Sequence, residues 1–181
     1  MGSNTFLNAA LWLARRNLYV FPLRPGTKVP GVRADWEGCA TTDIDQIHRW
    51  WATGKSNVAI ATGRSNLVVV DLDVAGERVG QDGRDTLRAA AAKAGGTVPA
   101  RTMTVSTPSG GEHLYFRAPA GITLTNTAGR LGSRVDTRAV GGYVVAPGSV
   151  IGRKPYRLTC IDDPAPLPSW LVDLLRPPQG L

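Results

Sequence analysis

Leu67-Val68-Val69-Val70 runs directly into Asp71-Leu72-Asp73. An unbroken aliphatic run belongs to a strand buried on both faces, and carboxylates at its end break that pattern. Residues two apart on a strand project from the same face with Cα atoms roughly 7 Å apart, so Asp71 and Asp73 can reach one metal cluster while Leu72 points into the core. Hard cations such as Mg2+ or Mn2+ take carboxylate oxygens from several directions, which asks for a third acid from a neighbouring strand. The plain alternative is a pair of acids that ends a strand and caps the following turn.

A second segment, Ser106-Thr107-Pro108-Ser109-Gly110-Gly111-Glu112-His113-Leu114-Tyr115-Phe116, reads as a strand, a small-residue turn and a strand opening on His113. Glycine pairs let backbone N–H groups approach phosphate oxygens closely, and the Thr107 and Ser109 hydroxyls add donors. An ordinary hairpin turn has the same composition, and His113 is then a polar residue on an exposed face. In a third segment Asp136 stands between Arg134 and Arg138, ahead of a glycine turn and a buried strand. A solvated ion pair and a carboxylate ligand beside a phosphate-binding arginine look alike at this level.

The chain that must position these groups has 181 residues, enough for one domain with a sizeable core. With 43% hydrophobic and 19% charged residues it is an ordinary folded protein, which excludes disorder, collagen and coiled coil. Its longest aliphatic runs are far too short to cross a bilayer. No basic stretch precedes an apolar block near the start, so no secretory signal is expected. Lys and Arg number 21 against 14 Asp and Glu, and the net charge of +7 favours a polyanionic partner. Cys39 and Cys160 form no CxxC, so a zinc ribbon or disulfide scaffold is not expected, a metal site joining them to His48 is the lesser reading, and a reducing cytoplasm fits.

Apolar residues at helical spacing predict a first helix capped by Ser3 or Asn4 and ending near Asn17. Leu18 to Pro22 is a strand, Arg24 to Gly38 an irregular loop, and Thr42 caps a second helix bearing Ile44, Ile47, Trp50 and Trp51. Asn57–Thr62 and Leu67–Asp73 are strands joined by a hairpin-like turn at 63–66, and Asp82 to Ala94 is a helix stopped by Gly95-Gly96. Strands follow at Arg101–Ser106, His113–Arg117, Tyr143–Ala146 and around Tyr156–Leu158, with a closing helix at Leu167–Leu175. Residues 177–181 read as the start of a linker. Helices and strands without regular βαβ alternation suggest an α+β domain with a largely antiparallel sheet.

Seven segments in one order carry a resemblance: Val20-Phe21-Pro22-Leu23 with Lys28-Val29-Pro30, Ala40-Thr41-Thr42-Asp43, Trp50-Trp51, Asn57 to Gly63, Asp71-Leu72-Asp73, Thr107 to His113, and Val135-Asp136-Thr137-Arg138. Together, from about Phe6 to Leu171, the chain resembles the bifunctional DNA primase/polymerase family, the prim-pol branch of the archaeo-eukaryotic primase superfamily found in phages and plasmids. The resemblance implies one catalytic domain over residues 4–176, an RRM-like antiparallel catalytic sheet packed beside a smaller α/β subdomain, with the site in the cleft between. It implies that Asp71, Asp73 and Asp136 bind two divalent ions, Mg2+ or Mn2+, and that His113 contacts the nucleotide triphosphate. Ser109, Gly110, Gly111, Arg138 and Lys28 would complete the nucleotide site. Gly111 stands where many relatives carry Ser two residues before the histidine. The expected function is DNA-templated nucleotidyl transfer, making and extending primers on single-stranded DNA from NTPs or dNTPs. Exposed aromatics among the five tryptophans would stack on unpaired bases, although core packing is preferred for Trp12 and Trp50. The family suggests a downstream helicase. The alternatives are a non-catalytic single-stranded DNA-binding module of the same fold and a nucleotide-sugar transferase.

Overall fold

A computed structural model describes residues 4–33, 35–76 and 80–177. Helix α1 (Thr5–Ala14) starts where the Asn4 side chain accepts a 3.1 Å hydrogen bond from the Leu7 N–H. Ser3, the other candidate cap, lies outside the described residues, as do 178–181 of the expected linker. Strand β1 (Val20–Leu23) follows. The stretch expected to be irregular as far as Gly38 instead closes in a one-turn helix, α2 (Trp36–Cys39), because the Asp35 carboxylate accepts from the Gly38 N–H at 2.9 Å. Helix α3 (Ile44–Trp50) is capped by Asp43, not Thr42: the Asp43 carboxylate reaches the Gln46 N–H at 2.7 Å, where its charge also suits the helix N-terminus.

Strands β2 (Asn57–Ala61) and β3 (Leu67–Leu72) are not the hairpin that their spacing suggests. Between them Ser65 N–H bonds Ala61 O and Leu67 N–H bonds Thr62 O, so the turn coils instead of folding back and hands the chain from one sheet to another. β2 lies in the centre of a three-stranded antiparallel sheet, between β1 and a strand near residue 144. β3 lies inside a seven-stranded sheet.

Helix α4 (Gly83–Lys93) ends as expected: Gly95 at φ +70° lets the Gly95 and Gly96 N–H groups return to Ala92 O and Ala91 O. Strands β4 (Thr104–Ser106), β5 (Glu112–Arg117), β6 (Thr127–Ala128) and β7 (Val135–Arg138) then build the larger sheet. β8 (Tyr143–Val145) completes the smaller one, and β9 (Val150–Ile151) pairs with β10 (Lys154–Pro155). β11 (Arg157–Cys160), β12 (Ala165–Pro166) and helix α5 (Ser169–Leu175) end the described chain. The larger sheet runs β11-β4-β5-β3-β7-β6, antiparallel throughout, with β12 added parallel to β5. The architecture is mixed α+β with antiparallel sheets and few helices. No helix among the described residues is long and apolar enough to cross a membrane.

The unbroken aliphatic run of β3 is explained by two cores. Val68, Val70 and Leu72 join Leu114 and Phe116 of β5 under α4 and α5, against Leu87, Ala91 and Leu171. Leu67 and Val69 face the other way with Tyr115, meeting Phe21, Ile60 and Trp51 of the smaller sheet and its helices. All five tryptophans lean on one of these cores, Trp51 and Trp170 buried and Trp12, Trp36 and Trp50 half-buried, so the expectation of exposed tryptophans for base stacking does not hold.

Candidate active site

β3 is flanked by β5 on one side and β7 on the other, and the register sets Asp71 opposite both His113 and Asp136. Side chains alternate across a sheet, so these residues share the face turned away from α4 and α5. That face and the smaller sheet enclose a cleft of about 350 Å³, lined by Asp71, His113, Arg138, Lys28, Tyr143 and Tyr156 among others. Lys28 arrives from the loop after β1, pinned by Tyr143 Oη donating to Lys28 O at 3.0 Å and by Asn57 Nδ2 donating to Thr27 O at 3.1 Å. Asp73 lies one residue beyond β3 and is exposed, its backbone tied to Arg134 O at 3.0 Å and to the Gly83 N–H at 2.8 Å.

Electrostatics follow from this crowding. Burial, then the neighbouring charge of Asp73 and also that of Asp136, raise the Asp71 carboxyl to about 6, against the partial relief given by Arg138 and Lys28. Burial, reinforced by Lys28 and Arg138, lowers His113 to about 4, so the imidazole is neutral near pH 7. Its Nε2 stands 3.5 Å from Asp71 Oδ1. His113 is 5% exposed, which overturns the exposed-face reading: the residue belongs to the inner face of β5.

Asp136 takes a 3.1 Å hydrogen bond from the Gly129 N–H and lies 3.3 Å from an Arg138 nitrogen. Arg134 is not part of this pair, because at φ +62° it turns away and donates to Gln81 O at 2.9 Å. Among the described residues no three His, Cys, Asp or Glu side chains converge as a ready-made metal cage. The donors nevertheless fit a hard divalent ion in kind, being carboxylates whose mutual repulsion already disfavours the charged form of Asp71. Cys39 and Cys160 form no disulfide, and among the described residues exposed His48 forms no metal group with them.

The Ser109-Gly110-Gly111 turn abuts the end of β3, since a side chain on Gly110 would touch Val74. Gly110 has φ +94°, and the Thr107 and Ser109 hydroxyls bond each other at 3.0 Å. Gly111 has a steric reason: a Cβ there would collide with the carbonyl oxygen of Leu72. Replacing Gly111 with Ala is therefore expected to destabilise the fold by about 1–3 kcal/mol, read as a lower urea midpoint at unchanged slope. An unchanged midpoint would mean that the strand end yields freely.

Three lining residues, Tyr143, Tyr156 and Asn126, were not candidates from sequence. The Tyr156 ring lies 5.7 Å from that of His113, and Asn126 Nδ2 donates to Gly141 O at 3.2 Å. Tyr143 alternates within a strand, which marks a face without saying what it faces, whereas Tyr156 lies between β10 and β11.

No curated protein matches the sequence significantly. The family model described as bifunctional DNA primase/polymerase, N-terminal, matches residues 10–170. That span includes both sheets and every cleft residue named above, and the chain belongs to the bifunctional DNA primase/polymerase N-terminal family.

Proposed function

We propose that residues 4–176 form a catalytic domain that joins nucleotides on a DNA template, starting primers and extending them, in phage or plasmid replication. One observation carries this reading: three adjacent strands set Asp71, His113 and Asp136 at one level of one sheet face, and Asp71 and His113 line a cleft that also holds Lys28 and Arg138. Carboxylates beside fixed cations suit a substrate that is a polyanion bearing metal. Asp71, Asp73 and Asp136 would hold two ions, Mg2+ or Mn2+. When bound, such ions activate the attacking hydroxyl and offset charge on the departing pyrophosphate. Lys28 and Arg138, which line the cleft, hold the triphosphate, and the Ser109-Gly110-Gly111 turn beside the end of β3 adds donors other than the Gly110 N–H, which is spent on Thr107 O. Neutral His113 donates one hydrogen bond to it without adding charge. The succession β3-α4-β4-β5-β7, with sheet order β4-β5-β3-β7, supports reading the larger sheet as RRM-like and the smaller sheet with α1 and α3 as the subdomain. A downstream helicase and a cytoplasmic setting complete the proposal.

The test is incubation with Mn2+, labelled nucleotides and an unprimed single strand. Products whose sequence follows the template are expected. Tight DNA binding with no product would instead indicate a binding module.

Single-stranded DNA should bind through the charge excess, with log affinity falling against log salt at a slope of about −3 for roughly four phosphate contacts. Asp71→Ala should leave that slope unchanged. Fluorescence anisotropy titrations at several salt concentrations measure it, and salt-independent affinity would remove the role assigned to the basic surface.

A further inference from the structure

We propose that Tyr115 is a positioning residue for His113: its hydroxyl donates through one water to His113 Nδ1 and so keeps the imidazole proton on Nε2, the nitrogen that faces the cleft. Two buried side-chain polar atoms among the described residues lack a hydrogen-bond partner, His113 Nδ1 and the Tyr115 hydroxyl. Leaving either unsatisfied is costly, and two such atoms from one strand face are the natural solution to each other. The residues are two apart on β5 and both turn inward, with ring centroids 6.3 Å apart. As the rings stand the two atoms do not bond each other directly, so one water would bridge them.

The direction of the bond follows from what lies on the other side of the ring. Nε2 faces Asp71 Oδ1 at 3.5 Å, and a carboxylate or a phosphate there only accepts. Nε2 must therefore carry the proton, which leaves Nδ1 as a bare lone pair in need of a donor. Tyr156 also lies close, with its ring 5.7 Å from that of His113, but its hydroxyl is not one of the two buried unpartnered atoms. Tyr115 is fully buried in the core between the sheets, its N–H on Met103 O and its carbonyl accepting from the Thr102 hydroxyl, so backbone on both sides fixes where the ring stands. Tyr115 would not touch nucleotide. It acts through His113.

The catalytic consequence rests on the nucleotide-binding reading above, whereas the tautomer itself does not. The chain holds His48 and His113, so long-range 15N–1H correlation spectra of labelled protein present two imidazoles to assign. Wild-type His113 is expected as the Nε2–H form, and Tyr115→Phe should shift the tautomer ratio toward Nδ1–H by roughly two- to tenfold, the equivalent of one neutral hydrogen bond. Tyr156→Phe serves as a control and should leave the ratio alone. In primer extension, Tyr115→Phe should lose a similar two- to tenfold in kcat/KM for nucleotide with unchanged DNA affinity. An identical ratio in wild type and Tyr115→Phe, a wild type already in the Nδ1–H form, or a shift caused by Tyr156→Phe instead would overturn the proposal. If the ratio shifts as expected while wild type makes no product, Tyr115 keeps its role and the polymerase reading falls.

Discussion

Replacing Asp71 with Asn is expected to lower incorporation at least a thousandfold while raising the melting temperature of the metal-free protein. The two effects have one origin. The folded protein holds the Asp71 carboxyl at about 6 against an ordinary 3.8, so its contribution to stability is fully present below 3.8 and is lost as pH rises through 6. At pH 7 the ionised group then costs on the order of 2 kcal/mol, discounted for partial exposure, and Asn removes that cost while keeping the shape. Melting should rise by roughly 4–8 °C. His113 has the opposite sign: held at about 4, below its ordinary 6.5, its contribution is present above 6.5 and is lost as pH falls through 4. Between pH 4 and 6 the two groups therefore offset each other in wild type, and Asp71→Asn should uncover a steeper acid loss. Mn2+ should raise the wild-type melting temperature above pH 6, where Asp71 is ionised, and hardly affect the variant. Thermal scans with and without Mn2+ at pH 5 and 7.5, beside incorporation assays, measure all of this. Near wild-type incorporation by Asp71→Asn at saturating Mn2+ would sink the ligand assignment.

His113→Ala is expected to reduce kcat/KM for nucleotide by ten- to a hundredfold. A hydrogen bond from Nε2 to a charged phosphate is worth roughly 1.5–3 kcal/mol, and it should tighten as charge grows on the leaving pyrophosphate, so kcat falls along with the rise in KM. Because the ring is buried, Ala also leaves a cavity, and the melting temperature should drop. Gln supplies an N–H near the position of Nε2 and should restore part of the rate. Single-stranded DNA affinity should hold in both variants. Steady-state incorporation on a primed template, beside an equilibrium DNA titration, separates the effects. Unchanged kinetics would reduce His113 to a core residue, and matched losses in DNA and nucleotide binding would indicate misfolding.

Much of the site is legible in sequence because its residues violate local expectation: Asp71 and Asp73 end an aliphatic strand, and His113 opens one beside a glycine pair. What escapes is whatever depends on partners far along the chain. β7 reads as a charged stretch because Asp136 and Arg138 alternate with Val135 and Thr137 over only four residues. The turn at 63–66 has hairpin composition, and its coiling shows only in its backbone bonds. Asp43 takes the cap from Thr42 because the two lie side by side in sequence and both are capping types. Tyr143 looks like an ordinary strand aromatic until its hydroxyl meets Lys28 O across the cleft, and Tyr156 like an ordinary aromatic until it is found lining the same cleft.

The strand pairings also set a timetable for folding. β3 closes against β7 through Asp71 and Asp136, and β2 closes against β8 through Ala59 and Val145, so neither sheet can finish until the chain has reached residue 145. Loops of that length must lose their entropy before the contacts reward it, which makes the topology slow to fold. Until then β2 and β3, the two most aliphatic strands, each present an unpaired edge. A chain cut short before Tyr143 would therefore be prone to associate through those edges, and a nascent chain would depend on their being shielded during synthesis.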